Sequence, residues 1–321
     1  MLFSGIPKKV LSAVSTDANE FAHIDWIRTR VGGQSGVRLG IGDDAAAVRL
    51  PETTDCLVTV DMLMEGVHFT IPPATAQQIG RKTLAVNLSD IAAMAGRPRS
   101  AVVAVALNRH RGIDFARELH DGIQQLADEF DVAIAGGDTN VWDGPVVVSL
   151  TLLGEPTGDG PVRRSGARAG DWIMTTGRFG GSLAGRHLTF RPRVEEALKL
   201  NESVRLNAMI DVSDGLVADL FHILDESGVG AVLEADTIPI HPQAGQADDG
   251  RTALEHALAD GEDFELLLTV APSEGRTLLE HPPVKTELSK IGEIVEQRGC
   301  ELADPSGQTT PLGRRGWLHT F

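Results

Sequence analysis

Six aspartates in this sequence sit where a charge is costly. Asp44, beside Asp43, stands in "GIGDDAAAV"; Asp61 ends the apolar run "LVTV"; Asp138 follows "VAIAGG"; Asp211 follows "AMI", with Asp214 in the turn behind it. Asp90 lies inside the apolar stretch "AVNLSDIAAMAG". A carboxylate bordered by apolar residues is unfavourable unless it is paired or bound to metal, and few Arg or Lys lie near these positions in sequence. Oxygen-only clusters without His or Cys suit Mg²⁺ or another hard cation. Each aspartate alone also reads as a helix cap or turn former, and Asp90 as the cap of a second, separate helix. The shared context of all six points instead to metal-assisted chemistry.

The rest of the chain limits what that chemistry acts on. A formal net charge of −16 over 321 residues repels nucleic acid and anionic membranes, so neither is expected as a partner. It also repels a phosphorylated substrate unless cations stand between. Cys56 and Cys300 lie far apart, which argues against a structural zinc site and a disulfide framework. The start, "MLFSGIPKKV", carries no leader-like pattern, and "PVVVSLTLLG" is too short to span a bilayer, so a cytoplasmic protein is expected.

Valine-rich runs bounded by Gly, Asp or Pro predict strands at "DCLVTVD", "AVVAVAL", "VAIAGGD" and "PVVVSLTLLG". Helical spacing appears in "EFAHIDWIRTRV", "ATAQQIGRKTLAVNLSDIAAMAG" and "GIDFARELHDGIQQLADEF". The Gly-, Pro- and Arg-rich "GEPTGDGPVRRSGARAGD" is the best domain boundary, which divides the chain into residues 1–154 and 155–321. Beyond it, "WIMTTG", "AMIDVSDGLVADLFHIL", "GAVLEAD", "DFELLLTV" and "KIGEIV" repeat the strand–helix–strand order. The class is therefore α/β or α+β. "AVVAVAL" and "PVVVSLTLL" are more continuously apolar than a half-exposed sheet requires, which predicts a first sheet covered on both faces.

Familiar templates fail: "GRFGGSLAG" has no P-loop lysine, "DVSDGLVADL" does not fit a calcium loop, and neither GxSxG nor HExxH occurs. The ordered set "GIGDDAAAV", "TVDMLMEGVHF", "KTLAVNLSDIAAMAGRP", "AGGDT", "RRSGARAGD", "IDVSDGLVADL" and "ADGEDFELLLT" closely resembles the thiamine-monophosphate kinase family. That family shares a superfamily with aminoimidazole ribonucleotide synthetase and selenophosphate synthetase.

The resemblance implies a two-domain α/β (α+β) protein. Its N-terminal mixed sheet would form a barrel across a homodimer and hold ATP and several Mg²⁺ ions, and its C-terminal domain would be α/β. The implied reaction is phosphorylation of thiamine monophosphate by ATP to give thiamine diphosphate, by direct in-line transfer with no covalent nucleophile. Carried over motif by motif, Asp44, Thr59, Asp61, Asp90, Asp138, Asp211 and Asp214 match metal ligands, with Val60 offering its backbone carbonyl. His120, where the family commonly has an aromatic, matches an ATP-binding position, as do Gly137, Asp138, Arg164 and Ser213. His68, Glu262 and Trp317 match substrate contacts.

Two rival functions remain open at this stage. One is another ATP-dependent enzyme of the superfamily acting on a different acceptor; the other is a metal or nucleotide sensor with a decayed site, against which the complete aspartate set argues. For Trp317 two readings stand: a hydrophobic plug closing the C-terminal domain, or a lid stacked on the thiamine cation.

Overall fold

The computed structural model describes residues 37–39, 42–49, 55–246 and 248–317. The helical pattern in "EFAHIDWIRTRV" and the last four residues lie outside them. The first half runs β1 (Val37–Leu39), β2 (Ala46–Arg49), β3 (Asp55–Met64), α1 (Ala76–Ala93), β4 (Arg97–Asn108), α2 (Gly112–Glu129), β5 (Ala133–Trp142) and β6 (Val147–Glu155). Its strands form a six-stranded mixed sheet in the order β1-β2-β3-β6-β4-β5. β4 and β5 are parallel, joined by the α2 crossover, and the other pairs are antiparallel.

The second half runs β7 (Trp172–Thr176), α3 (Val194–Ser203), β8 (Ala208–Asp211), α4 (Leu216–Ser227), β9 (Gly230–Glu234), α5 (Ala253–Ala259), β10 (Leu266–Val270), α6 (Pro272–Glu280), β11 (Leu288–Val295), β12 (Gly299–Ala303) and β13 (Thr309–Leu312). A seven-stranded sheet results, in the order β13-β12-β9-β11-β7-β10-β8, with β12 and β9 its parallel pair. The protein is thus a two-domain α/β fold with mixed sheets. Among the described residues neither sheet closes on itself, and no helix is long and apolar enough to cross a membrane.

α1 organises the molecule. Thr75 and Gln78 form a reciprocal capping box at its start, satisfying two backbone donors that a helix end leaves free. Fourteen of its eighteen residues are buried, so it is a central rod and not an amphipathic surface helix. Ile79, Leu84, Leu88 and Ile91 join one core with Leu57, Leu150 and Leu152 of the first sheet and Met209, Leu266 and Leu268 of the second. A second core lies around Ile210, Leu220, Leu233 and Ile294. α1 runs unbroken past Asp90, which rules out Asp90 as the cap of a separate helix.

α1 and α2 touch backbone to backbone. A Cβ placed on Gly80 would fall 1.9 Å from the Leu119 carbonyl oxygen, and one on Gly122 would fall 2.0 Å from that of Gln77. The two glycines are therefore a packing requirement, because helices come this close only where side chains are absent.

Among the described residues the helices cover one face of the first sheet only. β3 alternates as a strand must: Leu57, Thr59 and Leu63 are buried, whereas Val60 and Met62 are 62% and 55% exposed. Register places Val60, Thr151 and Val102 in one row across β3, β6 and β4, with Met62, Ser149 and Ala104 in the next.

Candidate active site

Three elements and one loop bring the carboxylates together. β3 turns Thr59 and Asp61 inward, α1 presents Ser89 and Asp90, β8 ends in Asp211, and the segment before β2 supplies Asp44. Carboxylate oxygens of Asp44, Asp90 and Asp211 lie within 4.8 Å of one another. Thr59 Oγ1 donates to Asp90 and Ser89 Oγ to Asp211, and hydrogen bonds join Asp61 to Asp90 and Asp44 to Asp211. Arg164 grips Asp44 with two parallel bonds, Nε–Oδ2 at 2.9 Å and Nη2–Oδ1 at 3.0 Å. Its own N–H donates to Asp43 Oδ1 at 2.8 Å.

Burial, reinforced by nearby Glu262 and eased by the hydrogen bond with Asp90, pushes the Asp61 carboxyl up to about 6. Burial followed by the charges of Asp61, Asp211 and Asp44 raises Asp90 well above the usual range. Asp211 is raised in the same way, by burial and then by Asp44. Asp61 Oδ2 is buried without a hydrogen-bond partner among the described residues. An orphaned carboxylate oxygen beside a crowd of oxygen donors fits a hard divalent cation, which would satisfy the oxygen and relieve the repulsion.

These carboxyls hold protons more tightly folded than unfolded. Without metal, the folded state therefore loses stability as pH rises from about 4, the ordinary carboxylate value, through about 6 for Asp61, and recovers it as pH falls. A divalent cation competes with those protons, so its effect grows with pH. Mg²⁺ is expected to raise the thermal midpoint more at about pH 8 than at about pH 5.5. An increment that is equal at both, or larger in acid, would detach the carboxylates from the metal.

Asp214 belongs to a second group with Asp219 and His222. Asp219 is fully buried and accepts the N–H groups of Asp214 and Gly215, both at 3.0 Å, which shapes the turn into α4. Burial, then the charges of Arg164 and Arg314, pushes His222 down to about 4, so it is neutral near pH 7. Ser213 lies in the same turn.

Asp138 is not among the carboxylates gathered around Asp90. It stands exposed on β5 and accepts from Asn140 Nδ2 at 2.8 Å. Its neighbour Gly137 is in register with Val103, Leu150 and Asp61, three strand spacings or roughly 14 Å from β3. Asp138 and Gly137 instead meet His120 in a cavity of about 350 Å³ between α2 and the β4–β5 pair, walled by Val103, Val105 and Leu119. A side chain at Gly137 would strike the Val103 carbonyl. The cavity gathers three of the residues matched to ATP; Arg164 and Ser213 lie elsewhere, beside the carboxylates and in the turn before α4.

His68 and Glu262 are joined by a residue that sequence reasoning missed. Lys82 Nζ donates to the His68 carbonyl at 2.9 Å and to Glu262 Oε2. The ring of His68 accepts the Met64 N–H at 3.0 Å through Nδ1. A signal for Lys82 was available: it lies eight residues before Asp90, on the same face of an otherwise apolar helix. Asp219 was legible in the same way, as an acid inside "DGLVADL".

The tail crosses the start of α4. Trp317 N–H donates to the Asp214 carbonyl at 2.9 Å, and Gly316 packs against Asp214 and Ala218. The Trp317 residue is 55% exposed, which a buried plug would not be. That exposure runs against the plug reading, and the backbone hydrogen bond leaves Trp317 beside Asp214.

Comparison with known proteins identifies the family. Residues 42–155 match the family described as "AIR synthase related protein, N-terminal domain", and residues 154–304 match its C-terminal domain. The chain is 41% identical to "Thiamine-monophosphate kinase" of Rhodopirellula baltica over 309 residues, covering 94% of this chain and 97% of that protein. A solved structure described as "AaThiL complexed with AMPPCP and TMP" superposes with a TM-score of 0.82 at 26% identity, covering 97% of this chain and all of that one. The thiamine-monophosphate kinase of Stenotrophomonas maltophilia K279a superposes with a TM-score of 0.72 at 35% identity, over 91% of this chain and 98% of that one.

Proposed function

The chain belongs to the AIR synthase related family and, within it, to the thiamine-monophosphate kinases, and from that premise we propose how it works. It is a kinase that phosphorylates thiamine monophosphate at the expense of ATP, giving thiamine diphosphate. The observation that carries the mechanism is the convergence of Asp44, Asp90 and Asp211, with Asp61 and its orphaned oxygen alongside.

These carboxylates, with the Thr59 hydroxyl, the Val60 carbonyl and, for a further ion, Asp214, would hold Mg²⁺. A Mg²⁺ ion held by them would supply charge neutralisation and polarisation for the phosphates. Asp138, on the far side of the sheet, would serve the nucleotide and not this cluster. The apolar cavity formed by His120, Gly137 and Asp138 would take the base of ATP. Arg164, in ion pairing with Asp44, would turn its guanidinium to the phosphates, with Ser213 as a further contact. His68, Glu262 and Trp317 would meet thiamine monophosphate, Trp317 by stacking on its cation.

The attacking group is a phosphate oxygen, anionic near neutral pH, so a strong general base is unnecessary. No Ser, His or Cys among the residues assigned to the site stands out as a covalent nucleophile, and the transfer would be direct and in line, driven by positioning and charge neutralisation. Domain limits are proposed at residues 1–154 and 155–321.

The deciding experiment measures ADP formation with Mg²⁺ and ATP, with and without thiamine monophosphate, and identifies the product. Release of ADP that does not depend on thiamine monophosphate would overturn the assignment in favour of another acceptor.

The exposed apolar rows at Val60, Met62 and Val102 support a homodimer in which two first sheets face each other to form a barrel. Met62→Asp is expected to give a monomer by sedimentation at micromolar concentration. A wild-type monomer under the same conditions would end this reading.

A further inference from the structure

We propose that Lys82 is the positioning residue of the acceptor site: its buried ammonium holds the Glu262 carboxylate in the one direction from which it can meet a cationic, ring-bearing acceptor. The inference rests on the thiamine monophosphate reading above.

The segment Glu262–Glu265 carries three acids, and each takes a different cation. Asp263 pairs with Arg186 and Glu265 with Arg193, both at 2.6 Å, and Glu262 pairs with Lys82. The side chains of Asp263 and Glu265 are almost wholly buried, at 1% and 5% exposure, and hold the fold together. Glu262 keeps 22% of its side chain open while its partner Lys82 has none. A carboxylate that is both anchored and accessible is the form a ligand-binding group takes.

The backbone explains why an anchor is needed. Glu262 and Phe264 adopt left-handed conformations, φ 57° and 51°, that side chains other than glycine's rarely occupy. Hydrogen bonds from Glu262 N–H to the Ser213 carbonyl at 2.6 Å and from Phe264 N–H to that of Val212 at 2.7 Å hold them there. These bonds fix where the Glu262 side chain begins, and the Lys82 ammonium fixes where it ends. A second bond from Lys82, to the His68 carbonyl, ties the other matched substrate residue to the same point.

Among the described residues, Asp61 from β3 and His187 from the turn after Gly185 also feel the Glu262 charge. Burial and the Lys82 charge push the His187 pKa down, so the imidazole adds no positive charge to oppose a cationic acceptor. Lys82 is unreachable by a ligand, so its effect on the acceptor passes through Glu262.

The test compares Lys82→Met, Glu262→Gln and the double variant in steady-state kinetics with ATP and thiamine monophosphate. Lys82→Met and Glu262→Gln are each expected to raise KM for thiamine monophosphate by about tenfold, the scale of one charged hydrogen bond. KM for ATP should stay within about twofold in both, where one lost acceptor contact leaves nucleotide binding alone. Adding Lys82→Met to Glu262→Gln should change little more, because the two act as one unit.

Half of a buried ion pair can unfold a protein when left alone. If Lys82→Met does not fold, the double variant, which removes both charges, decides against Glu262→Gln. A double variant about tenfold worse than Glu262→Gln, or an equal rise in both KM values, overturns the inference. Wild-type turnover separates the two levels: a wild type inactive on thiamine monophosphate overturns the reading and the inference with it, and an active wild type with independent effects overturns the inference alone.

Discussion

Asp90→Asn is expected to cut turnover by about 100-fold or more while leaving the protein folded, the scale of losing one preorganised electrostatic stabiliser. Asp90 is the point where the carboxylates converge. It shares a hydrogen bond with Asp61, accepts one from Thr59, and feels the charges of Asp211 and Asp44. An amide keeps the shape and still accepts from Thr59, so the change removes charge and little else. Without metal the variant should melt at a higher temperature than the wild type, because one source of like-charge repulsion is gone. With Mg²⁺ the order should reverse, since the wild type gains more from the ion. Turnover at saturating Mg²⁺ and thermal midpoints with and without chelator test both halves; near-wild-type turnover would remove Asp90 from the reacting assembly.

Gly122→Val should damage the protein by a different route. The new Cβ would fall 2.0 Å from the Gln77 carbonyl oxygen and 3.0 Å from the Arg81 nitrogen, and the backbone of α1 has no flexible end to move aside. Replacing an interior helical glycine gains at most about 1 kcal/mol of propensity. Forcing two packed helices apart costs about 3 kcal/mol, so the clash wins. The thermal midpoint should drop, and turnover of the surviving folded protein should drop with it, because α1 carries Asp90 and Lys82. Gly112→Ala, at a glycine with open space but φ 76°, is the control for backbone strain without the clash. Equal midpoints for Gly122→Val and wild type would mean that the helices do not need their contact.

How far the sequence could be read depended on whether the signal was local. Asp44, Asp61, Asp90 and Asp211 each border apolar runs, and that is what a carboxylate turned toward a buried site looks like one residue at a time. Strands such as β3 and β6 alternate or persist in ways that a period-two pattern reveals. Arg164 gripping Asp44 was not legible, because the partners are 120 residues apart. Nor was Lys82 meeting Glu262 across 180 residues. Asp138 shares its local context with Asp61, so sequence grouped them; strand order separates them, since β6 and β4 insert between β3 and β5. The apolar runs did indicate a sheet to be covered on both faces, but the described residues supply only one of the covers.

The contact of Gly80 and Gly122 reaches past stability. α1 bears Asp90 at one point and Lys82 two turns earlier, and α2, locked against it, bears His120 at the mouth of the cavity beside β5. Asp90, Lys82 and His120 are thereby mounted on one stiff frame, so a substitution that loosens the helix crossing displaces all three positions at once.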